Sequence, residues 1–132
     1  LAAVPFAKGL LTGSVVIPSY TGLSNLLDLP ETLICSQGAA SESVARRMAS
    51  AVRIKCGADV GIAVSEATDG LDLDRDAGTC WVAWDDGHEA DVRQLSVRGL
   101  SSWSVEWLVA SSLDVLWCYA NKRLAKSEIP ST

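Results

Sequence analysis

The sequence is short of aromatic residues, of histidine and of positive charge, and each shortage narrows what the chain can do. Phe, Tyr and Trp make up 6% of its 132 residues, there is one His, and 11 Lys and Arg stand against 16 Asp and Glu, a formal charge of −5. Neutralising nucleic-acid phosphates needs clustered cations, so this balance argues against a nucleic-acid partner. No uninterrupted apolar stretch approaches the ~18 residues of a membrane span, and the opening Leu-Ala-Ala-Val is too short for a signal-peptide core. The chain starts at Leu1 without Met, which points to a processed or incomplete chain. Low-complexity runs and internal repeats are missing as well. What is present is 48% hydrophobic and 20% charged, the balance of one globular domain over residues 1–132. Trp accounts for five of the few aromatics.

The four cysteines, Cys35, Cys56, Cys80 and Cys118, form no C-x-x-C pair and have no His cluster beside them, so zinc and iron–sulfur frameworks are not expected. A domain of this size does not need disulfide staples. The expectation is reduced core thiols in an intracellular, reducing compartment, the cytoplasm or an organelle matrix.

Residues 14–17 (SVVI) are β-branched and read as a buried strand stopped by Pro18. Ser19 or Thr21 can cap a short helix through Leu27, and a second stub follows Pro30 and closes at Gly38. From Ser41 to Gly57 the spacing is helical, with Glu42 in the first turn and Val44, Met48, Ala51 and Val52 on one face. The run 58–65 (ADVGIAVS) is continuously apolar, as expected of a central strand covered on both faces. A polar loop over 66–78 precedes a strand at 79–84, a turn at Asp85-Asp86-Gly87, and a strand over 89–97 with a bulge or a strand end expected near Gln94. After a cap at Ser101 or Ser102, the pattern predicts a long helix from Trp103 to about Arg123. Strands alternating with helices indicate α/β organisation.

GAASESVARRMA (38–49) is similar to the pattern Gly-Ala-Val-Ser-Glu-x-Val-Ala-x-x-Met-Ala of the CinA C-terminal domain family, also called competence/damage-inducible, whose active members are nicotinamide mononucleotide amidohydrolases (deamidases). Further blocks follow in family order: Val4-Pro5, Val15-Val16, LLDLPETL (26–33), GADVGIAVS (57–65), GTCWVAW (78–84), then Gly99 and residues 113–117. The resemblance implies a three-layer α/β/α sandwich around a mixed, mostly parallel sheet of about five strands. It also implies that an N-terminal helix and a nucleophile segment, Glu-Ser-Cys-Thr-Gly-Gly, would stand ahead of Leu1.

Amide hydrolysis needs a nucleophile, a base and oxyanion donors, and a nucleotide substrate needs its phosphate held. Aligned without gaps, the family's activating lysine falls on Leu23, which can neither take nor give a proton. A family hydroxyl is retained as Ser65. Substrate-pocket candidates are Ser19, Ser65, Gly70, Gly78 and Thr79. The family's glycine-rich loop is replaced by an acidic one carrying Glu66, Asp69 and Asp72, which would repel a phosphate. The Gly-Asp-Arg before its last helix reads Gly99-Leu100-Ser101. These losses point to a degenerate member, a pseudoenzyme that uses no cofactor. The alternative is an active deamidase whose serine lies in a preceding segment.

Asp72, Asp74 and Asp76 alternate like the start of a calcium loop, but Ala77 and Ala83 stand where that loop needs Gly and Glu, so no metal is expected. His88, between Asp86 and Glu89, reads as a surface residue. On the long helix, Val105, Leu108, Val109, Leu113, Leu116 and Ala120 are expected to face the sheet. Trp103, Trp107, Ala110, Trp117 and Cys118 then face outward, making the three Trp interface candidates for a homo-oligomer or a larger protein assembly.

Overall fold

A computed structural model describes Pro5 and residues 9–65, 78–97 and 102–127; the expectations for Gly70, the acidic loop and the C-terminal tail lie outside the described residues. Three helices come first: α1 (Tyr20–Leu27), α2 (Glu31–Gln37) and α3 (Glu42–Cys56). Three strands follow, β1 (Gly61–Val64), β2 (Gly78–Asp85) and β3 (Ala90–Val97), and α4 (Ser102–Ser127) closes the order. The caps of α1 and α3 are those the sequence names. The Ser19 hydroxyl accepts from the Gly22 N–H and opens α1, and Ser41 does the same for α3 through Val44. Gly57, with φ of 58°, takes the left-handed conformation that ends α3 and satisfies its last carbonyls.

The sheet corrects the expected fold class. Among the described residues it has three strands in the order β1-β2-β3, and both pairings are antiparallel, where a mixed, mostly parallel sheet of about five was expected. The reason lies in the element order. A parallel pair needs a crossover, usually a helix, between its strands, and here the described helices stand before β1 or after β3. The short turn from Asp85 to Ala90 leaves β2 and β3 only an antiparallel pairing. Their register runs unbroken from Gly78↔Val97 to Asp85↔Ala90, so neither the bulge nor the strand end expected near Gln94 is there.

Residues 14–17 are not a strand either. Val16 is 92% exposed and Val15 about half so, while Ile17 packs against the cluster formed by α1, α2 and α3. β-branched residues supply propensity, but a strand also needs a partner edge, and Ile17 is committed to the helices next to a φ-restricted Pro18.

Three clusters make the core. Leu23, Leu27, Leu29, Ile34, Ala39 and Val44 tie α1 and α2 to α3. On one face of the sheet, Ala45 and Ala49 of α3 meet Ala63 and Ala83. On the other, Cys80, Val82, Trp84 and Leu95 meet Val115 of α4. Side chains alternate along β2, so α3 and α4 cover opposite faces. Among the described residues β1 stands at the edge of the sheet and not at its centre, yet Gly61 and Ala63 are buried under α3. All four cysteines are free; Cys80 is fully buried, which pushes its thiol pKa up, whereas Cys35 is exposed and no core thiol.

Candidate functional site

Ser19 and Leu23 sit one turn apart on α1, at the start of the segment where the resemblance places catalytic machinery. Their environments differ. Ser19 is exposed and its hydroxyl is used as the helix cap, 3.1 Å from the Gly22 nitrogen. Leu23 is 5% exposed and is a member of the apolar cluster under α2 and α3. A buried leucine at that place supplies packing and no proton chemistry.

Ser65 follows β1 and is, among the described residues, the one polar residue buried as a whole. Its hydroxyl accepts from the Trp81 N–H at 2.9 Å, and its own N–H donates to the Trp81 carbonyl at 2.8 Å, so residue 65 extends the β1–β2 ladder by one rung. Gly78 and Thr79 begin β2 opposite Val97 and Ser96. Ser65, opposite Trp81, and Thr79, two residues before it, therefore lie toward the same end of the sheet, while Ser19 belongs to the helical layer. No group of three or more His, Cys, Asp or Glu among the described residues is arranged to hold a metal. Ala83, the position where a calcium loop would end, is fully buried against α3.

Two grooves lie elsewhere. An open one of about 600 Å³ between α2 and α3 is lined by Pro30, Thr32, Leu33, Ser36, Ser43 and Arg47. A tighter one of about 90 Å³ lies between β3 and α4, beside Trp84, Arg93, Cys118 and Lys122. Neither includes Ser19, Ser65 or Thr79.

The outer face of α4 carries part of the expected Trp surface: Trp107 is 47% and Trp117 65% exposed, and the Trp103 side chain lies outside the described residues. The helix is rotated from the expected setting. Val115 is its buried contact, supported by Leu108 and Tyr119; Val109 and Leu113, assigned to the sheet side, are exposed, and Cys118 is half-buried. An aromatic contact and two polar ones hold this setting. Tyr119 packs on Trp84 with ring centroids 4.4 Å apart and the rings tilted by 45°, Arg93 donates to Asp114 at 3.0 Å, and Lys126 pairs with Glu89.

One anchor was missed in the sequence. Asp86, whose side chain is only 3% exposed, accepts from the N–H groups of His88 and Glu89 and from the Tyr119 hydroxyl, with Arg123 at 3.7 Å. These donors, the Glu89 N–H foremost, hold its carboxyl at about 2 against the opposing cost of burial. Asp-Asp-Gly signals the turn, but nothing local signals the helix that the carboxylate grips. His88 is exposed in that turn, as expected.

The family model of the CinA C-terminal domain matches residues 1–117. A CinA-like protein of Gemmatimonas aurantiaca is 36% identical over 102 residues, 76% of this chain but 23% of that protein. One from Cytophaga hutchinsonii is 27% identical over 118 residues, 88% of this chain and 28% of that protein. The chain thus spans about a quarter of the length of these curated relatives. Among solved structures, a competence or damage-inducible protein from Enterobacter asburiae superposes with a TM-score of 0.70 at 28% identity, covering 80% of this chain and 67% of that one. A CinA superfamily protein from Enterobacter cloacae gives 0.68 at 28%, covering 77% and 62%.

Proposed function

Because the chain belongs to the CinA C-terminal domain family, we propose that it is a member without nicotinamide-nucleotide amidase chemistry, serving as a structural or interaction module in an oligomer or larger assembly. The observation that carries this reading is Leu23. Where the family resemblance requires a lysine to activate the nucleophile, this chain has a leucine packed into the core. A positioned general base contributes on the order of 10²–10⁴ in rate, and a hydrocarbon side chain contributes none of it. Ser19 is used as a cap and Ser65 accepts from the Trp81 N–H, roles a serine fills without any base beside it. The acidic sequence after Ser65 and the loss of Gly-Asp-Arg before α4 point the same way, since both remove the means of holding a phosphate. In their place stands the apolar outer face of α4, which suits a protein partner.

The test is a turnover assay. The full-length protein incubated with nicotinamide mononucleotide should release no nicotinate mononucleotide above a heat-inactivated control. Turnover above that control overturns the proposal in favour of an active deamidase with its serine in a preceding segment.

A further inference from the structure

We propose that the turn over residues 85–89 is a two-sided latch, which couples the docking of α3 on one face of the sheet to that of α4 on the other, so that release of either helix loosens its opposite number.

Two adjacent carboxylates set the turn by taking three successive backbone donors. Asp85 Oδ1 accepts from the Gly87 N–H at 3.1 Å, and Asp86 Oδ1 accepts from the N–H groups of His88 and Glu89 at 2.9 and 2.7 Å. The Asp86 N–H donates to the Glu89 carbonyl at 3.0 Å and closes the loop. Neighbouring side chains at a strand end point to opposite faces, so each carboxylate meets a different helix. Asp85 faces α3, and the same Oδ1 that holds Gly87 accepts from Arg53 Nε at 2.6 Å. Asp86 faces α4, where its Oδ2 accepts from the Tyr119 hydroxyl at 3.1 Å with Arg123 at 3.7 Å, and Glu89 pairs with Lys126.

Arg53 also rests on the turn backbone itself. A Cβ on Gly87 would stand 3.1–3.3 Å from the Arg53 guanidinium. The glycine therefore admits the arginine plane as well as its own φ of 85°. α3 thus holds the backbone whose N–H groups aim the Asp86 carboxylate at Tyr119. When Arg53 lets go, Gly87 loses its cover and Asp85 its charged donor, and the donors that fix Asp86 relax with them. When α4 lets go, the largely buried Asp86 carboxylate loses Tyr119 and Arg123, and the turn on which Arg53 lies is free to open. One peptide bond separates the two grips, too little chain for either to move alone. Coupling of this kind is reciprocal. Whatever draws α4 off the sheet is therefore felt at the C-terminal turn of α3, on the far face.

The experiment is native-state hydrogen exchange on the full chain, followed amide by amide. Arg53→Met lies on the face away from α4 and should speed exchange throughout α4 by about fivefold or more, the size of an ordinary coupling between sites. Tyr119→Phe keeps the ring on Trp84 and removes the hydroxyl; it should speed exchange at residues 53–57 and 87–89. The two together should do less than the product of their separate effects, because either one opens the shared turn. Val44→Ala is the control: it cuts the α1–α2–α3 cluster and lowers global stability, but α4 opens below the global free energy and should not follow it. If Arg53→Met does not fold, Arg53→Lys, which keeps the charge without the planar fork, is read in the same way. Exchange in α4 that ignores the Arg53 change, effects that simply multiply, or an α4 that follows Val44→Ala as closely as Arg53→Met overturns the latch.

Discussion

Asp86 shows how one carboxylate can join elements that the sequence keeps apart. Oδ1 accepts from the N–H groups of His88 and Glu89 at 2.9 and 2.7 Å, closing the turn as an Asx motif, and Oδ2 accepts from the Tyr119 hydroxyl at 3.1 Å. Tyr119 responds in the opposite sense: burial first, then the bond to Asp86, raises its pKa. Because the folded pKa of Asp86, about 2, lies below the ordinary 3.8, the unfolded chain takes up the proton first as pH falls. The stabilisation is complete above about pH 5 and is lost as pH falls through 3.8 toward 2. Urea unfolding of the protein and of Asp86→Asn at pH 7 and near pH 2.5 should show the variant less stable at pH 7, with the gap narrowing at the acid end. An equal gap at both pH values removes the ionised carboxylate as the cause. Sequence made Asp86 legible as a turn residue and no more, because its second partner is 33 positions away. Ser19 and Ser65 show the same limit from the other side. Ser19 was legible as a cap because its partner is three residues on, whereas the partner of the Ser65 hydroxyl, the Trp81 N–H, is 16 positions away.

At the scale of elements, what could be read in the sequence were the features with local causes. Ser19, Ser41, Gly38 and Gly57 mark helix ends because capping is decided within four residues. Sheet order is decided by which edges meet, and there the sequence misled. A continuous apolar run such as GIAV establishes that both faces of a strand are covered, but not that the strand is central. β1 is buried because α3 lies almost directly on it. A Cβ added to Gly61 would fall on the Ala49 carbonyl and press the Arg53 backbone nitrogen at 2.9 Å, so the small residues Ala45, Ala49, Ala63 and Ala83 continue a seam that Gly61 begins. Arg53 secures one end of that seam through Asp85 at 2.6 Å, with both side chains largely covered. Gly61→Val should therefore destabilise by about 1–3 kcal/mol or more through overpacking against rigid backbone. Chemical denaturation measures it, and a change under about 0.5 kcal/mol, the range of an ordinary surface substitution, would show that α3 can shift away from the sheet.

Across the whole molecule, the covering of the sheet is uneven, and stability should follow it. α3 closes one face with fully buried Ala45 and Ala49 and shares a second apolar cluster with α1 and α2. α4 closes the other face with Val115 as its buried side chain, helped by Leu108, by Tyr119 on Trp84, and by ion pairs to the hairpin. Exposed pairs such as Arg93–Asp114 and Lys126–Glu89 are worth about 0–1 kcal/mol each and weaken with salt. Its opposite side is the apolar stripe that remains in water while the chain is alone. Local opening costs least where buried apolar contact is scarce. Amide hydrogen exchange should therefore rank α3 and β2 as most protected. α4 should open as a unit at lower free energy, sooner still at high salt, and 11–17 should exchange as an unpaired segment. Equal protection of α4 and β2 in the monomer would mean that the few contacts under Val115 bind the helix as firmly as the alanine seam binds α3.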